Sequence, residues 1–199
     1  VNTDFAAYHM DTGSLSAQTP AEMRRALRQR LIELRQAQAE ATVAAWSADL
    51  RRHLAEVYPQ LAKRHVAFCW PVQNEPDLRP LLSDWRAEGP PGFAALLPVV
   101  IAPRTPLAFR AWNETTRLSE DRYGIPYPAE GPFVPPEALL IPVNAFDAAG
   151  YRLGYGGGFF DRTLATLTPR PLAIGVGFEL SRVASIAPEA HVAELHGVV

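Results

Sequence analysis

Lysine is almost missing from this chain of 199 residues: among nineteen basic side chains only Lys63 is a lysine, and the rest are arginines. A Walker-type phosphate lysine is thereby excluded almost everywhere, so any anion site must rest on arginine forks and backbone N–H groups. Cysteine is reduced to Cys69, which cannot staple the fold. In the apolar run Val66 to Trp70 its thiol reads as a small buried hydrophobe, and a reduced, cytoplasmic setting fits best. No stretch approaches the ~18 uninterrupted apolar residues of a membrane span. The first nineteen residues carry Asp4 and Asp11 but no cation, unlike a secretory signal. An excess of either charge is missing too: nineteen basic against twenty-one acidic side chains leave a net charge of −2. No overall field draws the chain to nucleic acid or an anionic membrane. The basic pairs Arg51-Arg52 and Lys63-Arg64 lack interleaved aromatics, which argues against a nucleic-acid surface. Small-molecule partners and a monomer or weak dimer are the expectation.

What is present describes a folded domain, with 48% apolar and 20% charged residues. Residues 1–18 are small, polar and aperiodic and read as a flexible leader; residues 19–199 read as one domain. Thr19-Pro20-Ala21-Glu22 is a capping box that opens a helix to about Ala39. Val43, Trp46, Leu50, Leu54 and Val57 form one apolar face of a second helix, from about Thr42 to Val57. Val66 to Trp70 reads as a buried strand, and Asp77 as the cap of a helix through Trp85, closed by Gly89-Pro90-Pro91. Leu96 to Ala102, with Pro98 placing it at an edge or strand start, and Leu107 to Trp112 are further strands. The five prolines between Tyr123 and Pro136 predict an ordered loop. Leu139 to Val143 and Leu172 to Gly177 are strands around a short helix, Phe160 to Leu167, and Val198-Val199 begins another. Strands alternating with helices predict an α/β fold: a single three-layer domain with a mainly parallel sheet flanked by helices.

Four of thirteen glycines fall within Gly154 to Gly158. A strand ends, the chain loses its Cβ atoms and a helix begins, so several N–H groups can face one concavity at a helix N-terminus, a setting that favours phosphate. Arg152 adds a fork-shaped cation, and Asp161 a carboxylate able to hold Mg²⁺ against phosphate oxygens. The spacing is neither the dinucleotide fingerprint nor a P-loop, and a tight turn that merely needs positive φ stays open as a reading. Arg24 and Arg28, four apart, share one helix face and can reach one anion, or serve only as a solvated face. His191 and His196, five apart, do not share a helix face and read as surface histidines rather than a metal pair. No Gly-x-Ser-x-Gly elbow is present.

The string from Arg152 to Arg162, Arg-Leu-Gly-Tyr-Gly-Gly-Gly-Phe-Phe-Asp-Arg, closely resembles the signature of the 5-formyltetrahydrofolate cyclo-ligase family, the methenyltetrahydrofolate synthetases. Pro142 to Gly150, Ala173 to Phe178, the Arg24/Arg28 pair, Glu75, Pro106 to Phe109 and Tyr123-Gly124-Ile125 follow in the same order. The resemblance implies a NagB/RpiA-like, Rossmann-like architecture and an ATP- and Mg²⁺-dependent ligase. It would close 5-formyltetrahydrofolate to 5,10-methenyltetrahydrofolate through a phosphorylated imidate. On that likeness ATP is held by Arg24, Arg28 and the run Gly154, Tyr155, Gly156, Gly157, Gly158, Phe159 and Phe160. Arg152 and Asp161 are catalytic, Asp161 also helps to hold Mg²⁺, and Glu75, Tyr123 and Phe159 contact the reduced folate. The chain departs from the pattern at Phe159-Phe160, where the family has two tyrosines, and at Arg24, usually lysine. Val192 and His196 stand where it has aspartates. A paralogue that keeps the cradle but not the turnover, binding folate or nucleotide, is therefore the second reading.

Overall fold

Thr19 caps the first helix as the sequence predicts: its Oγ1 accepts the Glu22 amide at 3.3 Å, and its own amide donates to Glu22 Oε2 at 2.8 Å. The computed structural model describes residues 19–186 and 195–199, so the expected leader, His191 and Val192 lie outside the described residues. Helix α1 spans Pro20–Gln36 and ends before the expected Ala39. The cause is remote in sequence: Asn74 Nδ2 donates to the carbonyls of Arg35, Gln36 and Gln38 at 3.2–3.3 Å and ties off the last turn. Helix α2, Glu40–Val57, starts two residues earlier than its apolar face indicates.

The central sheet contains β1 (His65–Ala67), β2 (Ala94–Val99), β3 (Ala108–Trp112), β6 (Ala138–Pro142), β9 (Leu172–Val176) and β10 (Gly197–Val198), in the order β10-β9-β6-β1-β2-β3. All neighbours are parallel except β2 and β3. Helix α3 (Arg79–Glu88) joins β1 to β2, and α4 (Phe159–Thr166) precedes β9. Leu54 and Leu82, from α2 and α3, pack with Val66, Leu97, Leu140 and Ile174 on one face. On the other, Leu164 of α4 packs with Ala67, Leu96, Leu139, Ile141 and Ala173. Alternate side chains thus face opposite layers, both dry, which is why the strands read as continuous apolar runs. The expected three-layer α/β domain is the observed one. Among the described residues no helix is long and apolar enough to cross a membrane.

Several local readings need correction. Asp77 does not cap α3; Leu78 does, while Asp77, one residue ahead of that cap, accepts the Arg79 amide through Oδ1 at 3.0 Å. Strand β1 is only three residues long, although Phe68 still donates to Leu96 at 3.0 Å. Pro98 sits in an inner strand, not at an edge. Leu96 turns its carbonyl toward β1, so by alternation Pro98 faces the same way, past the last β1 residue, where a missing amide breaks no bond. The proline-rich stretch contains a hairpin, β4 (Leu118–Glu120) with β5 (Pro126–Pro128). The bonds of Ile125 and Ala129 turn toward β4 and those of Pro126 and Pro128 away from it, so neither proline disturbs the ladder. Arg110 Nη1 takes the Pro128 and Ala129 carbonyls at 2.9 and 3.0 Å and fixes the hairpin over the sheet.

Leu54 has no exposure at all. Leu54→Ala is expected to lower unfolding stability by about 3 kcal/mol through lost burial and a residual cavity, measured by urea denaturation. A loss below about 1 kcal/mol would show that α2 is not part of the cooperative core.

Candidate functional site

A cleft of about 1270 Å³ opens above the carboxyl ends of the parallel strands. Trp70 beyond β1, Pro98 to Pro103 at the end of β2, and Ile141 and Pro142 ending β6 form its floor. That end of an open parallel sheet is where ligands bind in α/β folds generally. The start of α1, the β4–β5 hairpin and residues 152–161 complete the walls.

After β6 the chain forms a second hairpin, β7 (Ala145–Phe146) with β8 (Arg152–Leu153). Asp147 Oδ1 accepts the amides of Ala149 and Tyr151 at 3.1 and 3.2 Å, and Oδ2 that of Ile186 at 3.2 Å, which closes this turn. The glycine run then leads into α4. Gly156 has φ +91° and Gly158, the N-cap of α4, φ +64°, conformations open to glycine. Any Cβ on Gly156 would come within 3.3 Å of the Arg28 guanidinium. Arg28 Nε donates to the Gly154 carbonyl at 2.6 Å. Burial first, and then repulsion from Arg24, hold the Arg28 guanidinium below its usual range. Two like charges beside a helix N-terminus and exposed loop amides form a cradle suited to an anion.

Arg152 is 5% exposed, and its Nη2 donates to Asp161 Oδ1 at 2.9 Å. The two residues expected to be catalytic are therefore an ion pair, with Asp161 in the first turn of α4. Phe159 and Phe160 line the cleft, and Arg162 lies over the Phe159 ring at 5.3 Å while donating through Nη2 to the Gly157 carbonyl. Tyr123 stands at the hairpin tip with 67% exposure, so it belongs to the rim. Arg122 covers its ring and donates to its hydroxyl at 2.7 Å.

Glu75 also lines the cleft and is 4% exposed. Oε1 accepts the Tyr155 hydroxyl proton at 2.7 Å and Oε2 the Val72 amide at 3.1 Å. Burial pushes this carboxyl above its ordinary value of 4.5, against the pull of Tyr155, Arg35 and Val72. Burial, then the Glu75 charge, likewise push the Cys69 thiol up, which disfavours its thiolate form. Arg35, 2% exposed, stands behind Glu75 and was not singled out by sequence. Its Nε donates to the Gln73 carbonyl, Nη1 to Asn144 Oδ1 and Nη2 to the Tyr155 hydroxyl, each at 2.9 Å, with Glu75 Oε1 at 3.8 Å. Its one legible signal is position: Arg35 lies seven residues, two turns, beyond Arg28 and so on the same face of α1. Asn144 and Trp70 carried no signal.

His196 does not join this cleft wall: its Nδ1 accepts the Ala173 amide at 2.9 Å, and its amide donates to the Ala173 carbonyl at 2.8 Å, which seats β10 beside β9. Among the described residues no three His, Cys, Asp or Glu side chains converge as a metal cage.

Comparison with known proteins gives the family and the fold. The model of the 5-formyltetrahydrofolate cyclo-ligase family matches residues 20–199. The chain is 27% identical over 172 residues to 5-formyltetrahydrofolate cyclo-ligase of Haemophilus influenzae, covering 83% of this chain and 87% of that one. It is 35% identical over 116 residues to the Escherichia coli protein of the same name, covering 54% and 61%. The solution structure of Aquifex aeolicus 5,10-methenyltetrahydrofolate synthetase superposes with a TM-score of 0.75 at 23% identity, over 88% of each chain. The Mycoplasma pneumoniae 5,10-methenyltetrahydrofolate synthetase does so at 0.69 and 19%, over 88% and 96%. These two likenesses concern the fold.

The raised Glu75 carboxyl sets a pH dependence. The folded protein holds this proton more tightly than the unfolded chain, so Glu75 withdraws stability as pH climbs from 4.5 to its raised value, and no more beyond. Urea midpoints of the wild type and Glu75→Gln across that window should therefore diverge, the wild type falling relative to the variant. A constant difference would contradict the burial cost assigned to Glu75.

Proposed function

The chain belongs to the 5-formyltetrahydrofolate cyclo-ligase family, a family of ligases, and we propose that it converts 5-formyltetrahydrofolate to 5,10-methenyltetrahydrofolate with ATP and Mg²⁺ in the cytoplasm. One observation carries this reading: a cationic, glycine-lined concavity and a buried carboxylate line one cleft of about 1270 Å³. Single-ligand pockets run to about 1,000 Å³, so this cleft has room for a nucleotide tail and a pterin together.

In this reading the loop amides from Gly154 to Gly158, with Arg24 and Arg28, grip the phosphates. The remaining acceptor capacity of Glu75 takes ring N–H groups of the folate, and Phe159 and Tyr123 flank its aromatic portion. The formyl oxygen then attacks the γ-phosphorus, ADP leaves, and N10 adds to the activated formyl carbon as phosphate departs and the ring closes. Phosphoryl transfer asks the protein for alignment and charge stabilisation rather than a nucleophile, which suits a wall of arginines and backbone amides. Asp161 is the carboxylate that would meet Mg²⁺. With Oδ1 engaged by Arg152, it fits an ion carried largely by phosphate oxygens and water, as Mg²⁺ usually is. The ion would supply neutralisation of charge on the transferred group. The bond from Arg152 fixes the orientation of the Asp161 carboxylate. Turnover-free binding of folate or nucleotide is the second reading, favoured by Phe159 and Phe160, which offer stacking surface without hydroxyls.

Appearance of methenyltetrahydrofolate absorbance from 5-formyltetrahydrofolate and Mg-ATP, with matching ADP release, is the direct test. Absence of ATP-dependent product would overturn catalysis, and retained ATP binding in that case would establish the second reading. If turnover is present, Asp161→Asn should lower kcat by about 10²-fold, the scale of one lost electrostatic contact in a transition state. An unchanged kcat would remove Asp161 from the reacting centre.

A further inference from the structure

Two arginines of α1 grip the glycine loop at adjacent points. Arg28 holds the Gly154 carbonyl at 2.6 Å, and Arg35 holds the Tyr155 hydroxyl at 2.9 Å. The Arg35 guanidinium cannot swing away, since Gln73 and Asn144 occupy its other donors. A hydroxyl that accepts from Arg35 has its own proton left to give, and that proton goes to Glu75 Oε1 at 2.7 Å. Tyr155 therefore belongs to both walls. Its backbone lies between Gly154 and Gly156 in the anion cradle, and its hydroxyl orients the Glu75 carboxylate. Residues 155–157 are otherwise exposed, so this side-chain bond is a main tether of a segment with little conformational preference of its own.

We infer that Arg35 and Tyr155 are positioning residues that couple the two halves of the cleft, so that a ligand in either half tightens binding in the other. The inference rests on the assignment of phosphate to the loop and of the folate ring to Glu75. The physical basis is ordering. A ring bonded to Glu75 fixes that carboxylate, the carboxylate fixes the Tyr155 hydroxyl, and the loop amides are then already aligned when phosphate arrives. Linkage makes the effect reciprocal: nucleotide on the loop must favour folate by the same factor.

Isothermal titration of the whole chain with a non-hydrolysable ATP analogue and Mg²⁺, with and without saturating 5-formyltetrahydrofolate, measures that factor. In the wild type the analogue should bind at least about fivefold tighter with folate present, the lower end of ordinary coupling, and folate should gain equally from the analogue. Tyr155→Phe keeps the ring and removes the relay, so the factor should fall to within about twofold of unity while near-ultraviolet circular dichroism stays native. Arg35→Lys, which cannot serve three acceptors from a planar fork, should lower it in the same direction. Independent binding of the two ligands to the wild type, or an undiminished factor in Tyr155→Phe, overturns the coupling and leaves the proposed function standing. A wild type that binds neither ligand overturns both.

Discussion

A guanidinium removed from water must find its acceptors inside the protein, and Arg35 finds them on three separate segments: the loop after β1, the turn after β6, and the glycine run before α4. Isolated, such a charge would cost several kcal/mol; bonded on each nitrogen and facing Glu75, it fixes where those segments stand relative to α1. The cleft is the space between segments held this way. Its depth comes from the sheet, but its two chemically distinct walls keep their spacing because one cation touches both.

The sheet contributes through polarity rather than contact. Five parallel strands end on the same side, and the chain leaves β1, β2, β6 and β9 there through loops. Trp70, Pro98, Ile141 and the approach to the glycine run therefore converge without any local sequence signal for convergence. Prolines help here: Pro98 stands where its strand has outrun its neighbour, and a residue without an amide leaves no orphan donor on the cleft floor.

Much of this was legible in the chain. The capping box at Thr19, the double-sided apolar strands and the glycine string each carry a local physical signature, and the structure has a helix, strands and a turn there, with strand ends that differ by a few residues. The end of α1 was not legible, because Asn74 determines it from a distant loop. The β4–β5 hairpin was hidden by prolines that turn their missing amides outward. At the site, sequence brought out groups that line the cleft, Arg24, Arg28, Glu75 and Gly154 to Gly158. It missed what aims them, since Arg35 and Asn144 are ordinary residues until the fold buries them together. The pairing of Arg152 with Asp161 lay within a visible motif, yet spacing alone does not tell an ion pair from two separate ligands.

The reach of Arg35 also orders events in time. Its partners Asn144 and Tyr155 lie 109 and 120 residues further along the chain, so α1 leaves the ribosome long before they exist. It can coil early, since its caps and composition are local, but it cannot seat its buried charge until most of the chain has been made. Closure of so long a loop belongs to the slow, late part of folding. Assembly of the cleft is thus a report that synthesis has passed the glycine run, and a chain truncated before Asn144 leaves the Arg35 guanidinium without two of its three acceptors.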